Sequence, residues 1–266
     1  MQQSDKIRID YFEDGRIARI TLDNPPVNLT TVKILDELLE AVITVSEDDR
    51  VRVLVLTAAG ERIFCGGSDL KEFPLIRDRF VEVKLRKENA IFSRLESMGK
   101  PVIAAINAMA LGGGCEMALA CDFIVMDERA KIGQPEINIG TFPGSGATFR
   151  LTRRVGPARA LELLCLGTAV PPQDALEMGL VNRIAPAGKS WETAYELALE
   201  LAAKPKFALK CIKELCRSAY TQTPAEAIEQ SLALSEIILK TPDSIEGTKA
   251  FLEKRPPVFQ DAVRRG

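Results

Sequence analysis

No histidine occurs among the 266 residues. That absence removes the Ser-His-Asp and Cys-His nucleophilic sites, His-ligated zinc and the imidazole proton shuttle in one stroke. Proton transfer near neutral pH is left to carboxylates, Lys, Tyr or Cys whose pKa values the fold has shifted. Charge of one sign is also missing: 35 basic against 37 acidic residues leave a net charge of −2. Such a chain has no overall field to hold nucleic acid or an anionic membrane. The six cysteines, at 65, 115, 121, 165, 211 and 216, contain no C-x-x-C pair, so neither a zinc knuckle nor a thioredoxin-type motif is present. Most sit in apolar surroundings and read as small core residues of a protein in a reducing, cytoplasmic compartment. The opening MQQSDKIRID lacks an apolar or Arg-rich presequence. The most apolar stretch, Val102 to Met126, is broken by Asn107, three glycines, Glu116 and Asp122, which excludes a membrane span.

What remains is an ordinary globular composition, 46% hydrophobic and 27% charged, long enough to bury a large core without disulfides or metals. Ile7 to Tyr11 and Ile17 to Leu22 alternate around Asp14-Gly15 and read as a hairpin. Thr30 or Thr31 can cap a helix whose apolar side is Ile34, Leu35, Leu38, Leu39, Val42 and Val45. Val51 to Thr57, Pro101 to Ile106 and Phe123 to Met126 read as buried strands. The first two run into glycine loops with helices behind them. The charged stretch 71–100 has eight basic and five acidic residues, and its helical part, 76–98, reads as a solvated face. From Pro157 the pattern is helical, over 157–166, 172–178, 190–203, 206–220, 224–240 and 244–254, interrupted by one strand at Val181 to Ile184. The composition shifts near Lys204-Pro205, which divides the chain into 1–204 and 205–266.

Four constellations can carry chemistry. Gly66-Gly67-Ser68-Asp69-Leu70-Lys71 lets the backbone approach a ligand, although such loops also serve as plain turns. Leu111-Gly112-Gly113-Gly114-Cys115-Glu116 sets three glycines before a helix, as a nest of donors for an oxyanion or as a site of tight packing. Neither matches a nucleotide phosphate loop. Glu116 and Glu136 both lie among apolar neighbours, where a carboxylate is paired, employed or at the surface. Two carboxylates facing one pocket would split their titration into a base and an acid. Finally, Pro143-Gly144-Ser145-Gly146 opens a segment reaching Arg150, Arg153 and Arg154, which read as salt-bridging or capping residues.

The ordered set of these motifs resembles the crotonase superfamily, the enoyl-CoA hydratase/isomerase family. It comprises Phe64-Cys65-Gly66-Gly67-Ser68-Asp69-Leu70-Lys71, Lys100 to Asn107, Ala110 to Glu116, Gly133-Gln134-Pro135-Glu136, Gly140 to Gly144, and Glu246-Gly247 through Phe251 to Arg255. The resemblance implies an α/β fold, a spiral of ββα units over residues 1–204. A helical C-terminal trimerisation region, 205–266, follows, and trimers can pair into hexamers. It implies an oxyanion hole for an acyl-CoA thioester made by the backbone N–H groups of Ser68 and Gly113. Glu116 would be the base and Glu136 the α-carbon proton donor, with Gly144 orienting the water or the acid. Gly66, Asp69, Leu70 and Lys71 would line coenzyme A, and Lys254 would reach coenzyme A on a neighbouring subunit. The implied reaction is syn hydration of a trans-2-enoyl-CoA. The alternatives are a Δ3,Δ2-enoyl-CoA isomerase, a decarboxylase, a thioester hydrolase, or a non-catalytic acyl-CoA or RNA-binding homologue. No metal and no cofactor beyond the substrate's own coenzyme A is implied, and no nucleic acid or membrane partner. Ser68 stands where the family usually has alanine, and Ala108-Met109, Ala147 and Phe149 also depart from its common pattern, which bears on acyl specificity.

Overall fold

The structure, a computed structural model, describes residues 6–260. The first five residues of the opening segment and the last six of the region 205–266 lie outside it. Strands β1 (Ile7–Phe12) and β2 (Ile17–Leu22) pair antiparallel, and β2 then pairs parallel with β3 (Val53–Ala58). The sheet continues in parallel through β5 (Val102–Ile106), β7 (Phe123–Asp127) and β10 (Arg183–Ala185), giving the order β1-β2-β3-β5-β7-β10. Every residue of β3 and β5 is buried. Such continuous apolar runs follow from a parallel sheet covered on both faces. One face packs on α1 (Val32–Glu47), through Leu35, Leu38 and Val42. The other packs on α8 (Ser190–Ala202), through Ala194, Leu197 and Ala198. Of the two candidate caps for α1, Thr31 serves: its Oγ1 accepts from Ile34 N–H at 3.2 Å.

A second, smaller sheet holds β4 (Ile63–Cys65), β6 (Met109–Leu111), β8 (Ile132–Gly133) and β9 (Ala169–Val170) in that order. These strands are too short to show a period in sequence. Their positions reveal the winding. As β3, β5 and β7 add in turn to the large sheet, β4, β6 and β8 add in the same order to the small one. Each turn of this spiral therefore leaves a strand of the small sheet facing a helix start. Helix α4 (Gly113–Leu119) follows β6 directly and packs on β4. A Cβ on Gly114 would lie 2.3 Å from Cys65 O, so this third glycine serves packing rather than ligand approach.

The stretch expected as one helix over 76–98 is broken. A short α2 (Phe73–Ile76) leads through a 3₁₀ turn at Arg77–Arg79 and a π-helical turn at Val81–Leu85 into α3 (Arg86–Ser97). Nor is its charge all solvated. Lys84 and Glu88 share the buried side with Ile91, Phe92 and Leu95. The wider π turn brings Lys84 Nζ onto the Thr30 carbonyl at 2.7 Å. Strand β10 begins two residues later than expected, because the N–H groups of Leu180 and Val181 close onto Ala175 O. That carbonyl belongs to α7 (Pro172–Glu177), which follows α5 (Ala147–Val155) and α6 (Pro157–Leu166). Between Lys206 and Leu252 the chain forms three helices, α9 (Lys206–Ser218), α10 (Pro224–Ile238) and α11 (Pro242–Leu252). Among the described residues no helix is long and apolar enough to cross a membrane.

Candidate active site

The two glycine loops meet. Gly67, at φ +85°, presents its Cα face to the second loop: a Cβ there would stand 3.1 Å from Leu111 O and 3.2 Å from Gly113 N. The first loop is held by a single bridge between Thr30 and Ser68, with Thr30 N–H donating to Gly67 O and Asp69 N–H to Thr30 O. Ser68 thus follows a turn pinned by a bridge, not a helix start. Its N–H, and that of Gly113 at the first position of α4, have no protein acceptor among the described residues. Two uncommitted donors on abutting loops are what a developing oxyanion requires.

The carboxylates are placed by the elements just beyond. Glu116 projects from the first turn of α4 and is 3% exposed. Its Oε1 accepts from Ser145 N–H at 2.8 Å and Ala147 N–H at 3.1 Å, at the start of α5. Gly144 immediately precedes this pair of donors, and its own carbonyl accepts from Asn89 Nδ2 at 3.1 Å. Glu136 opens a 3₁₀ turn, Glu136–Ile139, and is half-buried. Its Oε1 lies 3.0 Å from where a Cβ on Gly112 would stand, so its carboxylate rests over the second glycine loop. With its amide turned so that the nitrogen faces the carboxylate, Gln134 donates to Glu136 Oε1 at 2.9 Å and Oε2 at 3.1 Å.

Burial pushes the Glu116 carboxyl up to about 8, reinforced by the negative charges of Glu88 and Glu136 and opposed by the two backbone donors. Burial raises Glu136 as well, and Glu88 again adds to it. The consequence for stability has a definite sign. Between the ordinary 4.5 and about 8, an unfolded Glu116 has ionised while the folded one keeps its proton. The unfolded state then binds fewer protons, so stability falls as pH rises through this window and levels above it. Glu116→Gln, which keeps an acceptor for both N–H groups, removes that decline. The variant should gain about 3–5 kcal/mol on the parent between about pH 5 and pH 9, read from urea unfolding at the two pH values.

The remaining sequence candidates are distributed as follows. Gly66 N–H donates to Val27 O at 3.0 Å, fixing the loop's entry. Asp69 Oδ1 accepts from Lys71 N–H at 3.0 Å, and Leu70 and Lys71 are exposed just past the loop. Lys254 follows α11, exposed and at φ +54°. Arg150 and Arg154 are structural: Arg150 pairs with Glu96 at 3.0 Å, and Arg154 donates to the carbonyl of Cys121. Sequence reasoning placed Gln134 and Ser145 in its motifs without giving either a role, and it missed Glu88. For Glu88 a signal was available. Lys84 and Glu88 fall at helical spacing in line with Ile91, Phe92 and Leu95, which marks the apolar face rather than the wet one.

An arrangement of this kind stabilises charge on a carbonyl oxygen and moves protons beside it, which defines a carbonyl-polarising acid–base protein. The comparisons with known proteins make the class specific. The family profile described as enoyl-CoA hydratase/isomerase matches residues 13–262, and the chain belongs to that family. It is 37% identical over 250 residues to a mitochondrial enoyl-CoA hydratase of Pongo abelii, spanning 94% of this chain and 85% of that protein. It is 36% identical over 254 residues to a probable enoyl-CoA hydratase of Bacillus subtilis, spanning 95% and 98%. The crystal structure of an enoyl-CoA hydratase from Bacillus anthracis superposes with a TM-score of 0.91 at 34% identity, covering 96% of this chain and 99% of that one. The α/β spiral with helices at its C-terminal end is therefore the crotonase fold.

Proposed function

We propose that the chain is an enoyl-CoA hydratase, adding water reversibly and syn across the 2,3 double bond of a trans-2-enoyl-CoA to give a 3-hydroxyacyl-CoA. The observation that carries this reading is the pair of uncommitted N–H groups, Ser68 and Gly113, on loops bordered by Glu116 and Glu136. Both donors bind the thioester oxygen. As the water oxygen bonds to C3, one water proton passes to Glu116 and the π electrons shift through C2 onto the thioester oxygen. Fixed donors stabilise the enolate because they need no reorganisation when the charge develops. The enolate collapses as C2 takes a proton from Glu136, and proton exchange with solvent resets the pair. Two carboxylates suit this addition, which needs a proton removed at one atom and delivered at another. Gly144 sets the turn that presents Ser145 and Ala147 to the base.

Gly66, Asp69, Leu70 and Lys71 line the coenzyme A moiety, and Lys254 of a neighbouring subunit completes it. The reaction needs no metal and no cofactor beyond the substrate's own coenzyme A. The protein works as a homotrimer or a pair of trimers. Exposed Ile228, Leu232, Ile245 and Phe251 on α10 and α11 support this, being apolar side chains that a subunit contact would cover. Four buried thiols among six free ones suit a reducing cytoplasm. The expected result is loss of the enoyl-thioester absorbance when the purified chain meets crotonyl-CoA. Turnover of a trans-3-enoyl-CoA with none of crotonyl-CoA would instead assign an isomerase.

A further inference from the structure

A third carboxylate stands at this site. Glu88, on α3, is 2% exposed, and its Oε1 lies 4.0 Å from where a Cβ on Gly113 would be. Its Oε2 accepts from Ser145 Oγ at 2.5 Å, and its Oε1 accepts from Ser68 Oγ at 3.3 Å. These two serines are the residues whose backbone N–H groups serve the site: Ser145 N–H holds Glu116 Oε1, and Ser68 N–H is one of the two uncommitted donors. One carboxylate thus grips, by their hydroxyls, both the oxyanion loop and the turn that holds the base.

The surroundings argue that this grip has a use. A buried carboxylate is costly unless paired and hydrogen-bonded, and an apolar side chain could fill the same volume. Here the compensation is elaborate. Lys84, fully buried, lies 4.0 Å from Glu88 Oε1, 3.3 Å from Glu72 Oε2 and 2.7 Å from Thr30 O. Glu72 in turn accepts from Val32 N–H, at the start of α1. The Glu72–Lys84–Glu88 array therefore meets the Thr30–Ser68 bridge from behind.

We propose that Glu88 is a positioning residue of the reaction, fixing through the Ser68 and Ser145 hydroxyls the spacing between the oxyanion donors and Glu116. The proposal rests on the hydratase reading for its substrate. It has an electrostatic corollary. The charged and titratable groups facing Glu88 are Lys84 on its own segment, Glu72 before α2, Cys65 on β4, Glu116 on α4 and Glu136 on the 3₁₀ turn. Burial raises the Glu88 carboxyl above its ordinary value, opposed by the Ser145 hydrogen bond, Lys84 and the Ser68 hydrogen bond; once ionised, its charge raises Glu116 and Glu136.

The test compares the parent with Glu88→Leu, Glu88→Gln and Ser145→Ala in crotonyl-CoA hydration across a pH series, with thermal unfolding alongside. Glu88→Leu breaks both hydrogen bonds and should lower kcat by about 10- to 100-fold with KM little changed, as expected for misplaced reacting groups. Glu88→Gln keeps a hydrogen-bonding head and should recover most of that kcat. Because the charge is gone, the acid limb of its pH profile should move to lower pH. Ser145→Ala, which keeps the N–H to Glu116, should lose kcat as Glu88→Leu does, and it stands in for that variant should Glu88→Leu not fold. Parent kcat in Ser145→Ala overturns the proposal, and an unmoved acid limb in Glu88→Gln overturns its electrostatic corollary. A readout without turnover separates it from the hydratase reading: the enolate absorbance of bound acetoacetyl-CoA reports the oxyanion donors directly. A parent that polarises this ligand but does not hydrate crotonyl-CoA overturns the reaction assigned above. The effect of Glu88→Leu on the same absorbance still decides the role of Glu88, and an unchanged spectrum refutes it.

Discussion

Glu116→Gln is expected to lower the kcat for crotonyl-CoA hydration by about 10²–10⁴-fold, the span that a positioned general base supplies. The substitution is nearly isosteric. Glutamine Oε1 can still accept from Ser145 N–H and Ala147 N–H, so the turn before α5 keeps its anchor. What disappears is the capacity to take a proton from water. KM should therefore stay within a few-fold of the parent, because the thioester donors Ser68 and Gly113 are untouched. Steady-state kinetics on the two proteins checks this. A variant with near-parent kcat would remove Glu116 from the proton path and leave Glu136 or Glu88 as the base.

Gly67→Ala should be the most damaging single methyl group in the first loop. At φ +85° an L side chain is strained, which costs about 1–3 kcal/mol. The new Cβ would also stand 3.1 Å from Leu111 O and 3.2 Å from Gly113 N, both backbone atoms that cannot swing aside. Relief requires the two loops to part, which carries Gly113 N–H away from the thioester oxygen. The expected loss in kcat is about 10²–10³-fold, as for removal of one oxyanion donor. The unfolding midpoint should fall only modestly. Gly60→Ala is the control: its φ is +87°, yet nothing lies within 4 Å of the added atom. Equal kinetic losses in the two variants would show that backbone strain, not loop contact, explains the effect.

The long buried strands were legible because each is an unbroken apolar run, and the first two lead into glycine loops. The short strands β4, β6, β8 and β9 were not. Two or three residues carry no period, and their pairing depends on the winding of the larger sheet. The glutamates stood out as charges among apolar neighbours, and the structure sets Glu116 on the helix that follows the second glycine loop and rests the Glu136 carboxylate against Gly112 of that loop. Glu88 stayed hidden because its own stretch is rich in charge, where one more carboxylate looks like solvated surface. Its alignment with Ile91, Phe92 and Leu95 on the inward side of α3 distinguishes it from Glu82, which is exposed. The contacts of Ser145 were likewise unreadable, since hydroxyl and N–H serve different partners on different elements.

The burial of Glu116 has a calorimetric consequence in a chain without imidazole. In most proteins, protons exchanged on ligand binding between about pH 5 and 8 are dominated by histidines. Here that background is absent, while one buried carboxyl titrates at about 8. Heats of binding of an acyl-pantetheine thioester, which lacks coenzyme A's titrating 3′-phosphate, taken in buffers of different ionisation enthalpy would therefore count mainly protons entering or leaving the carboxylate cluster. The protein's own composition turns a bulk heat measurement into a local proton inventory of its site.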